Sequence, residues 1–194
     1  MPLELPLFPL HAVLFPGGPL PLRIFEPRYL DMVSRCLRED SGIGVVLIRE
    51  GSETGPAPEV HDLGTVGRIH YWNRRDDGLL GVTLVGGQRF RILASTVQPD
   101  QLVCARVELL PPDPVRPLPE KYQPLAGLLR DVMRELEPPW TTLPQHYEDA
   151  GWVSGRLAEL LPVPLDMKQA LLALDDPLLR LDGLERMLRQ LDTG

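Results

Sequence analysis

The chain has 194 residues, of which 43% are hydrophobic, and this is enough for one sizeable core or two small ones. Its formal net charge of −7 argues against binding to nucleic-acid phosphates and to anionic membrane surfaces. Two cysteines form no disulfide framework, and 22 prolines, roughly twice the usual share, predict many turns and short, interrupted elements.

The N-terminal stretch is apolar but is not organised like a signal peptide. It carries Glu4 and several prolines, and it has neither a basic n-region nor a small-residue cleavage site. No segment approaches the roughly 18 consecutive apolar residues of a membrane span. We therefore expect a cytoplasmic protein.

Residues 1–50 predict three strands and one helix. Residues 3–10 and 19–25 are extended segments broken by prolines, and the first is expected at a sheet edge or beside a bulge, because proline cannot donate to a ladder. A helix is expected over 27–39, and the unbroken apolar run 43–48 predicts a buried strand. The apolar face of the helix is predicted from residues at helical spacing: Leu30, Val33 and Leu37, flanked by Tyr29 and Cys36.

Residues 63–94 predict a meander of three antiparallel strands. The first strand ends near Tyr71 and Trp72, before a turn rich in Asn, Asp and Gly. Gly86-Gly87 is placed where a two-residue hairpin could separate the second strand from the third.

The third strand of the meander alternates with a period of two. Phe90 and Ile92 are expected on its apolar face, and Arg89 and Arg91 on the opposite face. One more half-buried strand is expected over 103–109, where apolar and polar residues again alternate.

Composition and periodicity change at Pro111. Residues 111–118 predict a stiff proline-rich linker, and from about Lys121 apolar residues recur at helical spacing. Four short helices are expected, over about 121–136, 146–161, 166–174 and from 177 onward. Such short helices need to pack together as a bundle.

The predicted fold class is therefore α+β with two domains. Residues 1–110 are expected to form an antiparallel β domain with one helix. Residues 119–194 are expected to form a helical lobe that is wholly helical over 119–192.

An ordered set of segments resembles the N-terminal LON substrate-binding domain of the Lon protease family. The segments run from LPLFPL and PLRIFEPRYL through IGVVLI, LGTVGRI and GGQRFRI to the C-terminal LPVPLDMKQALLALDDPLLRLDGLERMLRQL. The resemblance extends from about Leu5 to Leu191. It implies a PUA-like pseudo-barrel followed by a helical lobe, and a role in recognising unfolded or exposed polypeptide.

The resemblance also implies a module without chemistry of its own. A full Lon protease continues into an ATPase module and a Ser-Lys peptidase domain, and this sequence stops before either. We therefore expect a free-standing Lon-N-like protein that is not an enzyme and has no cofactor. The related protein cereblon adds a zinc-binding domain with paired CxxC motifs, which this sequence lacks.

The residues themselves predict no catalytic or metal site. No Gly-Lys-Ser/Thr phosphate loop occurs, and the histidines do not have zinc-ligand spacing. Ser154 lies in GWVSG, which does not match G-x-S-x-G, and it has no evident base. An enzyme with an unrecognised site stays open as an alternative.

Apolar residues beside turns form the predicted peptide-binding site. Aromatic residues at such places can be exposed anchors for a peptide, or they can plug a core. The predicted contacts are Tyr71, Trp72 and Leu80 from the β domain and Met133, Pro139 and Trp140 from the helical side. We expect them to line a cleft between the two domains and to bind unfolded or exposed apolar polypeptide segments.

RNA binding is the alternative function, because PUA-like folds often bind RNA. Five arginines could form a basic strip: Arg68, Arg74, Arg75, Arg89 and Arg91. The acidic net charge argues against this alternative, so the expected partners include no nucleic acid and no membrane. The sequence does not indicate the oligomeric state, the pathway or the identity of the polypeptide partner.

Overall fold

The computed structural model describes residues 3–192, with side chains up to residue 190, and the chain separates into two compact units between Pro111 and Pro112. The first unit has one helix and six strands: β1 Leu3–Leu10, β2 Pro19–Ile24, α1 Pro27–Glu39, β3 Ile43–Glu50, β4 Glu59–Arg74, β5 Leu80–Val97 and β6 Val103–Leu109. The second unit has four α-helices: α2 Gln123–Arg134, α3 Ala150–Leu160, α4 Leu165–Leu172 and α5 Pro177–Asp192.

The six strands form one mixed sheet in the order β2-β5-β4-β3-β1-β6. An additional pairing of β5 with β6 joins five of the strands into a ring and leaves β2 outside it, paired with β5. All pairings are antiparallel except that of β1 with β3, so the prediction of an antiparallel sheet is wrong at this pair. The reason is the connection through β2 and α1, which is long enough to bring the chain back in the same direction.

Strand β1 lies inside the sheet order, which corrects the prediction of an edge strand. Its first half pairs with β6, from Leu3 to Pro6, and its second half pairs with β3, from Leu7 to Leu10. Each half of β1 therefore pairs with a neighbouring strand on one side only. On the other side, a proline without an N–H removes no ladder hydrogen bond.

Strand β5 runs without a break through Gly86-Gly87, so the hairpin predicted there is wrong. Between the pairs Thr65↔Arg89 and Gly67↔Gly86, β5 carries one extra residue, which makes this place a bulge. The N–H of Gly86 donates to the Gly18 carbonyl (2.8 Å), and a Cβ on Gly86 would collide with the Phe15 carbonyl oxygen. The glycine is thus needed for a close backbone approach and not for a hairpin turn.

Two apolar clusters stabilise the first unit. Phe90 is fully buried in one of them, as predicted, together with Leu7 and Val107. Arg89, which was expected on the exposed face, is also buried. Next to the bulge, the N–H of Leu110 donates to the Arg89 carbonyl (2.8 Å), so the chain that leaves β6 covers this part of β5.

Helix α1 packs in the other apolar cluster with a different face from the one expected. Leu30 and Leu37 are exposed, and the buried side chains are Arg28, Tyr29, Met32, Val33 and Cys36. The sequence contains two overlapping apolar stripes, and the stacking of Tyr29 on Phe8 favours the one that includes Tyr29.

The second unit contains a long segment without helix, residues 135–149, so the prediction of a wholly helical lobe is wrong. Helix α3 begins at Ala150 because the Asp149 side chain accepts a hydrogen bond from the Gly151 N–H (3.0 Å). The predicted linker belongs to this unit from Pro112 onward, and its Leu118 N–H donates to the Glu148 carbonyl (2.8 Å).

Within the described residues, none of the helices has the length and apolar character needed to cross a membrane.

Candidate functional site

The predicted residues of the first unit lie on the hairpin of β4 and β5. Tyr71 and Trp72 are more than half exposed, and Leu80 is half-buried. Trp72 pairs with Val82, so Trp72, Val82 and Leu80 share one face of the hairpin. Tyr71 is on the other face, because neighbouring residues of a strand point to opposite sides.

A cavity of about 320 Å³ lies beside this face, between the ends of β1 and β2, the start of α1 and the loop 51–58. Its apolar lining consists of Phe8, Leu10, Leu22, Ile24, Phe25 and Tyr29. Phe25 is 55% exposed and forms its rim. We call this cavity and its rim the apolar groove.

The strand register connects the apolar groove to Trp72. Leu22, which lines the groove, pairs with Val82 on β5, and Val82 pairs with Trp72 on β4. The three residues form one row across three neighbouring strands, so Leu22 and Trp72 lie about 10 Å apart along the row. An extended apolar segment can therefore reach from the groove to Trp72.

The floor of the apolar groove is preformed. The Phe8 and Tyr29 rings stack with centroids 4.3 Å apart, and the Arg28 guanidinium lies 4.7 Å from the Tyr29 centroid. Arg28 donates to the Glu26 carboxylate (2.8 Å) and to the Gln101 carbonyl (3.0 Å), which holds it in place. Burial raises the pKa of Tyr29, so its hydroxyl is neutral and adds no charge to the groove.

Loop 51–58, which closes one side of the groove, is tied to the strands by carboxylates. The Glu53 side chain accepts from the His11 N–H (2.7 Å), and Glu26 accepts from the Gly55 N–H (3.3 Å). The groove consequently has an apolar interior and a charged margin that includes Arg23, Glu26 and Glu53.

The predicted residues of the second unit differ in exposure. Met133 on α2 is 4% exposed, so its side chain presents little surface. Pro139 and Trp140 are half-buried in the turns that follow α2. Phe25, by contrast, was not predicted as a contact; the signal available was an aromatic residue at the end of a strand, next to the helix start at Pro27.

The predicted basic strip is not a continuous patch of free charge. Arg89 is buried, Arg75 and Arg91 form ion pairs with Asp77 and Asp62, each at 3.4 Å, and Arg68 donates to a backbone carbonyl. This arrangement leaves little of the strip for phosphate contacts.

The side chains considered for catalysis have structural partners. Ser154 is buried, donates to the Gly151 carbonyl (3.0 Å) and accepts from Arg180 (3.1 Å). Among residues 3–192, no group of three or more His, Cys, Asp or Glu side chains is arranged to hold a metal ion.

Comparison with solved structures supports the fold. The crystal structure of a Lon N-terminal domain protein from Xanthomonas campestris is 38% identical and matches 95% of this chain and 98% of that one with a TM-score of 0.78. The N-terminal domain of a Mycobacterium avium complex Lon protease, at 15% identity and a TM-score of 0.60, shares the fold.

Sequence relatives point in the same direction. Lon protease 2 of Myxococcus xanthus is 30% identical over 180 residues, which are 89% of this chain and 22% of that protein. Cereblon of Xenopus tropicalis is 31% identical over 112 residues, 56% of this chain and 24% of that protein. The chain thus spans about a fifth of the Lon proteases it matches.

The family model for the ATP-dependent protease La (LON) substrate-binding domain matches residues 4–190, nearly the whole chain. Together with the shared fold, this shows that the chain belongs to the LON substrate-binding domain family.

Proposed function

We propose that the chain is a non-catalytic recognition module that binds unfolded or exposed apolar segments of polypeptides. Family membership supports this function, since the family is that of a protease's substrate-binding domain. The main structural support is the apolar groove with exposed Phe25 on its rim and exposed Trp72 in the same row of side chains. We propose in addition that the sheet is a PUA-like pseudo-barrel and that the helices form a bundle.

The groove suits side-chain recognition. A volume of about 320 Å³ accommodates one or two apolar side chains, which is less than most dedicated small-molecule sites need. Adjacent strand β2 contains Pro19 and Pro21, which have no N–H for a partner strand. Binding through side chains rather than backbone pairing tolerates many sequences, as recognition of unfolded chains requires.

We propose that the predicted contact residues form two apolar surfaces, one on each unit. Tyr71, Trp72 and Leu80 contribute beside the apolar groove, and Pro139 and Trp140 contribute a second surface on the helical unit. Aromatic side chains provide a large contact area with few rotatable bonds and so dominate many binding energies. Met133 is buried on α2 and presents little surface to a ligand.

Binding is tested by titrating a reduced, unfolded model protein into the wild-type chain and into the double variant Phe25→Ala/Trp72→Ala. We expect roughly thirtyfold weaker binding or more for the variant, because truncating aromatic anchors removes on the order of 1–2 kcal/mol each. Comparison of Trp72→Ala/Trp140→Ala with Trp72→Ala alone tests the second surface in the same way. Leu93→Ala, an exposed apolar residue of β5 away from the groove, is the matched control and should bind like wild type.

Salt separates polypeptide binding from RNA binding. Apolar binding should persist at high salt, whereas binding of single-stranded RNA would fall steeply as counterion release is suppressed. Equal polypeptide affinity of the wild type and the Phe25/Trp72 variant, or binding of RNA alone, would contradict the proposal. The purified chain should also release no phosphate from ATP and cleave no casein, and activity lost through a point change would show that it is an enzyme.

A further inference from the structure

Two cavities of the second unit form one groove around Arg130. Their volumes are about 610 and 380 Å³, and both are lined by Arg130, Gln145 and Tyr147. Because they share these residues, we treat the two cavities as one surface. We call this surface the Arg130 groove; it includes Val115, Arg116 and Met133 at its sides.

Backbone hydrogen bonds fix one wall of the Arg130 groove. The Ala150 N–H donates to the Arg116 carbonyl (2.9 Å), and Leu118 donates to Glu148 (2.8 Å). Pro117 and Asp149 form a β-bridge between these bonds. The wall is therefore built like a short piece of sheet although it lies outside the helices.

Arg130 is held by an aromatic cluster. Its guanidinium lies 4.7 Å from the Tyr147 centroid, and Tyr147 packs edge-on against Trp152 of α3 with centroids 4.9 Å apart. His146 also packs edge-on against Trp152, at 6.3 Å. A contact with the ring face uses none of the guanidinium N–H groups as hydrogen-bond donors, so these donors are available to a ligand.

Arg130 differs from the neighbouring arginines in its partners. Arg134 forms an ion pair with Asp131 at 2.9 Å, and Arg116 lies 3.9 Å from Asp176. Within the part of the chain that the structure describes, the guanidinium of Arg130 has the Tyr147 ring as its partner and no carboxylate. An exposed, oriented guanidinium is suited to a bidentate carboxylate.

The lining of the groove contains more arginines than carboxylates, unlike the chain as a whole. Three arginines line it, Arg116, Arg130 and Arg134, against the carboxylates of Glu148 and Asp149. The Asp149 carboxylate is already engaged with the N-terminus of α3. Arg116 and Arg134 are paired with carboxylates outside the lining, so Arg130 is the arginine of the groove that can offer its charge to an anion.

We propose that the Arg130 groove binds a carboxylate of an acidic polypeptide segment, with the carboxylate on the Arg130 guanidinium. Exposed Val115 at the rim provides contact for an apolar neighbour of the acidic residue. The inference deepens the proposed function, on which it rests: recognised polypeptides would combine apolar residues with Asp, Glu or a C-terminal carboxylate. The acidity of the remaining surface disfavours long polyanions such as RNA.

The test measures binding of short fluorescent peptides to the full chain. One peptide contains Leu and Glu and is amidated at its C-terminus; a second has Gln in place of Glu; a third has Gln and a free C-terminal carboxylate. We expect the Glu peptide to bind roughly tenfold tighter than the amidated Gln peptide, as for a hydrogen bond to a charged group. Tight binding of the third peptide would assign the carboxylate to the chain end.

Variants locate the preference at Arg130. Arg130→Gln should abolish the difference between the Glu and Gln peptides, and Arg130→Lys should retain a part of it, because lysine keeps the charge without the planar donors. Arg186→Gln, an exposed position on α5 that does not line the groove, should leave the difference unchanged. Circular dichroism confirms that each variant is folded.

Three results would overturn the inference: equal affinity of the wild type for the Glu and Gln peptides, an unchanged preference in Arg130→Gln, or single-stranded RNA that displaces the Glu peptide. Failure of the proposed function gives a different pattern. In that case the unfolded model protein would bind the wild type and the Phe25/Trp72 variant equally. If the Phe25/Trp72 variant binds the unfolded protein more weakly but Arg130→Gln keeps the preference for the Glu peptide, apolar recognition is supported and the acidic preference is refuted.

Discussion

The two units are stabilised by different means. In the first unit, backbone ladders already fix the strands relative to one another, and apolar side chains such as Phe90 fill the interior. In the second unit, short helices have no such ladder between them; they bury apolar side chains such as Leu129, Leu157 and Leu184, and buried Arg180 adds directional bonds between them. Arg180 has no exposed surface and donates to Asp113, Ser154 and two backbone carbonyls. Where the backbone does not fix neighbouring elements, directional side-chain bonds do so.

The apolar side of this comparison is tested at Phe90. Phe90→Ala should lower the free energy of unfolding by roughly 3–5 kcal/mol, because a fully buried aromatic side chain is lost and a cavity is left. Arg91→Ala, on the exposed face, should cost less than about 0.5 kcal/mol. Denaturant midpoints measure both, and similar costs would show that β5 does not depend on its buried face.

The polar side is tested at Arg180. Arg180→Ala should destabilise by about 3–5 kcal/mol, because it leaves the Asp113 carboxylate without its buried partner at 2.9 Å and frees two carbonyls. Arg134→Ala, whose ion pair with Asp131 is exposed, is the control and should cost about 0–1 kcal/mol. Chemical denaturation followed by helix signal at 222 nm reports on both variants; a cost for Arg180→Ala as small as for Arg134→Ala would remove the contrast between the units.

The hydrogen bonds to Asp182 in the second unit should have the smallest effect on stability. Hydrogen bonds from Tyr122 and from Lys121 hold the pKa of Asp182 below its ordinary value. A lowered carboxylate pKa contributes stability that is present above the ordinary Asp pKa of about 3.9 and is lost as the pH falls through the folded value. Asp182→Asn should therefore lower stability slightly at neutral pH, where this contribution is present, and flatten the loss of stability below about pH 4. If the variant lost stability below about pH 4 as steeply as the wild type, this would show that solvent screens the partly exposed Asp182 carboxylate completely.

The sequence predicts best where one local signal decides the structure. The run of six apolar residues at 43–48 is a buried strand, and Pro27 marks the start of α1. Asp176-Pro177 also begins α5 as expected, with the Asp176 side chain accepting from the Leu178 N–H (2.9 Å). In each case residues close in the chain determine the outcome.

Elements that depend on distant contacts were not predicted. Gly86-Gly87 has the sequence of a hairpin, and the approach of the Phe15 carbonyl from a remote loop makes it a bulge instead. The parallel pairing of β1 with β3 likewise depends on the path through α1. Burial of Arg89 follows from the chain beyond β6, which no periodicity in β5 reveals.

The candidate site was predicted only in part for the same reason. Exposure of Tyr71 and Trp72 depends on where β4 extends beyond β3 while still pairing with β5, and the sequence indicates only that they precede a turn. Met133 fits the apolar stripe of α2 and is buried with it. The apolar groove is assembled from β1, β2 and α1, so its lining is visible only in the folded chain.

The prolines of β2 have a consequence for the lifetime of the protein in solution. A protein that meets unfolded chains is repeatedly offered partner strands, and an open sheet edge is a template for intermolecular β-structure. Strand β2 lies outside the ring of strands, yet Pro19 and Pro21 remove two of its donors, and Arg23 places a charge in its second half. Strand β2, beside the proposed binding surface, is thus poorly able to seed co-aggregation with the chains that the protein would recognise.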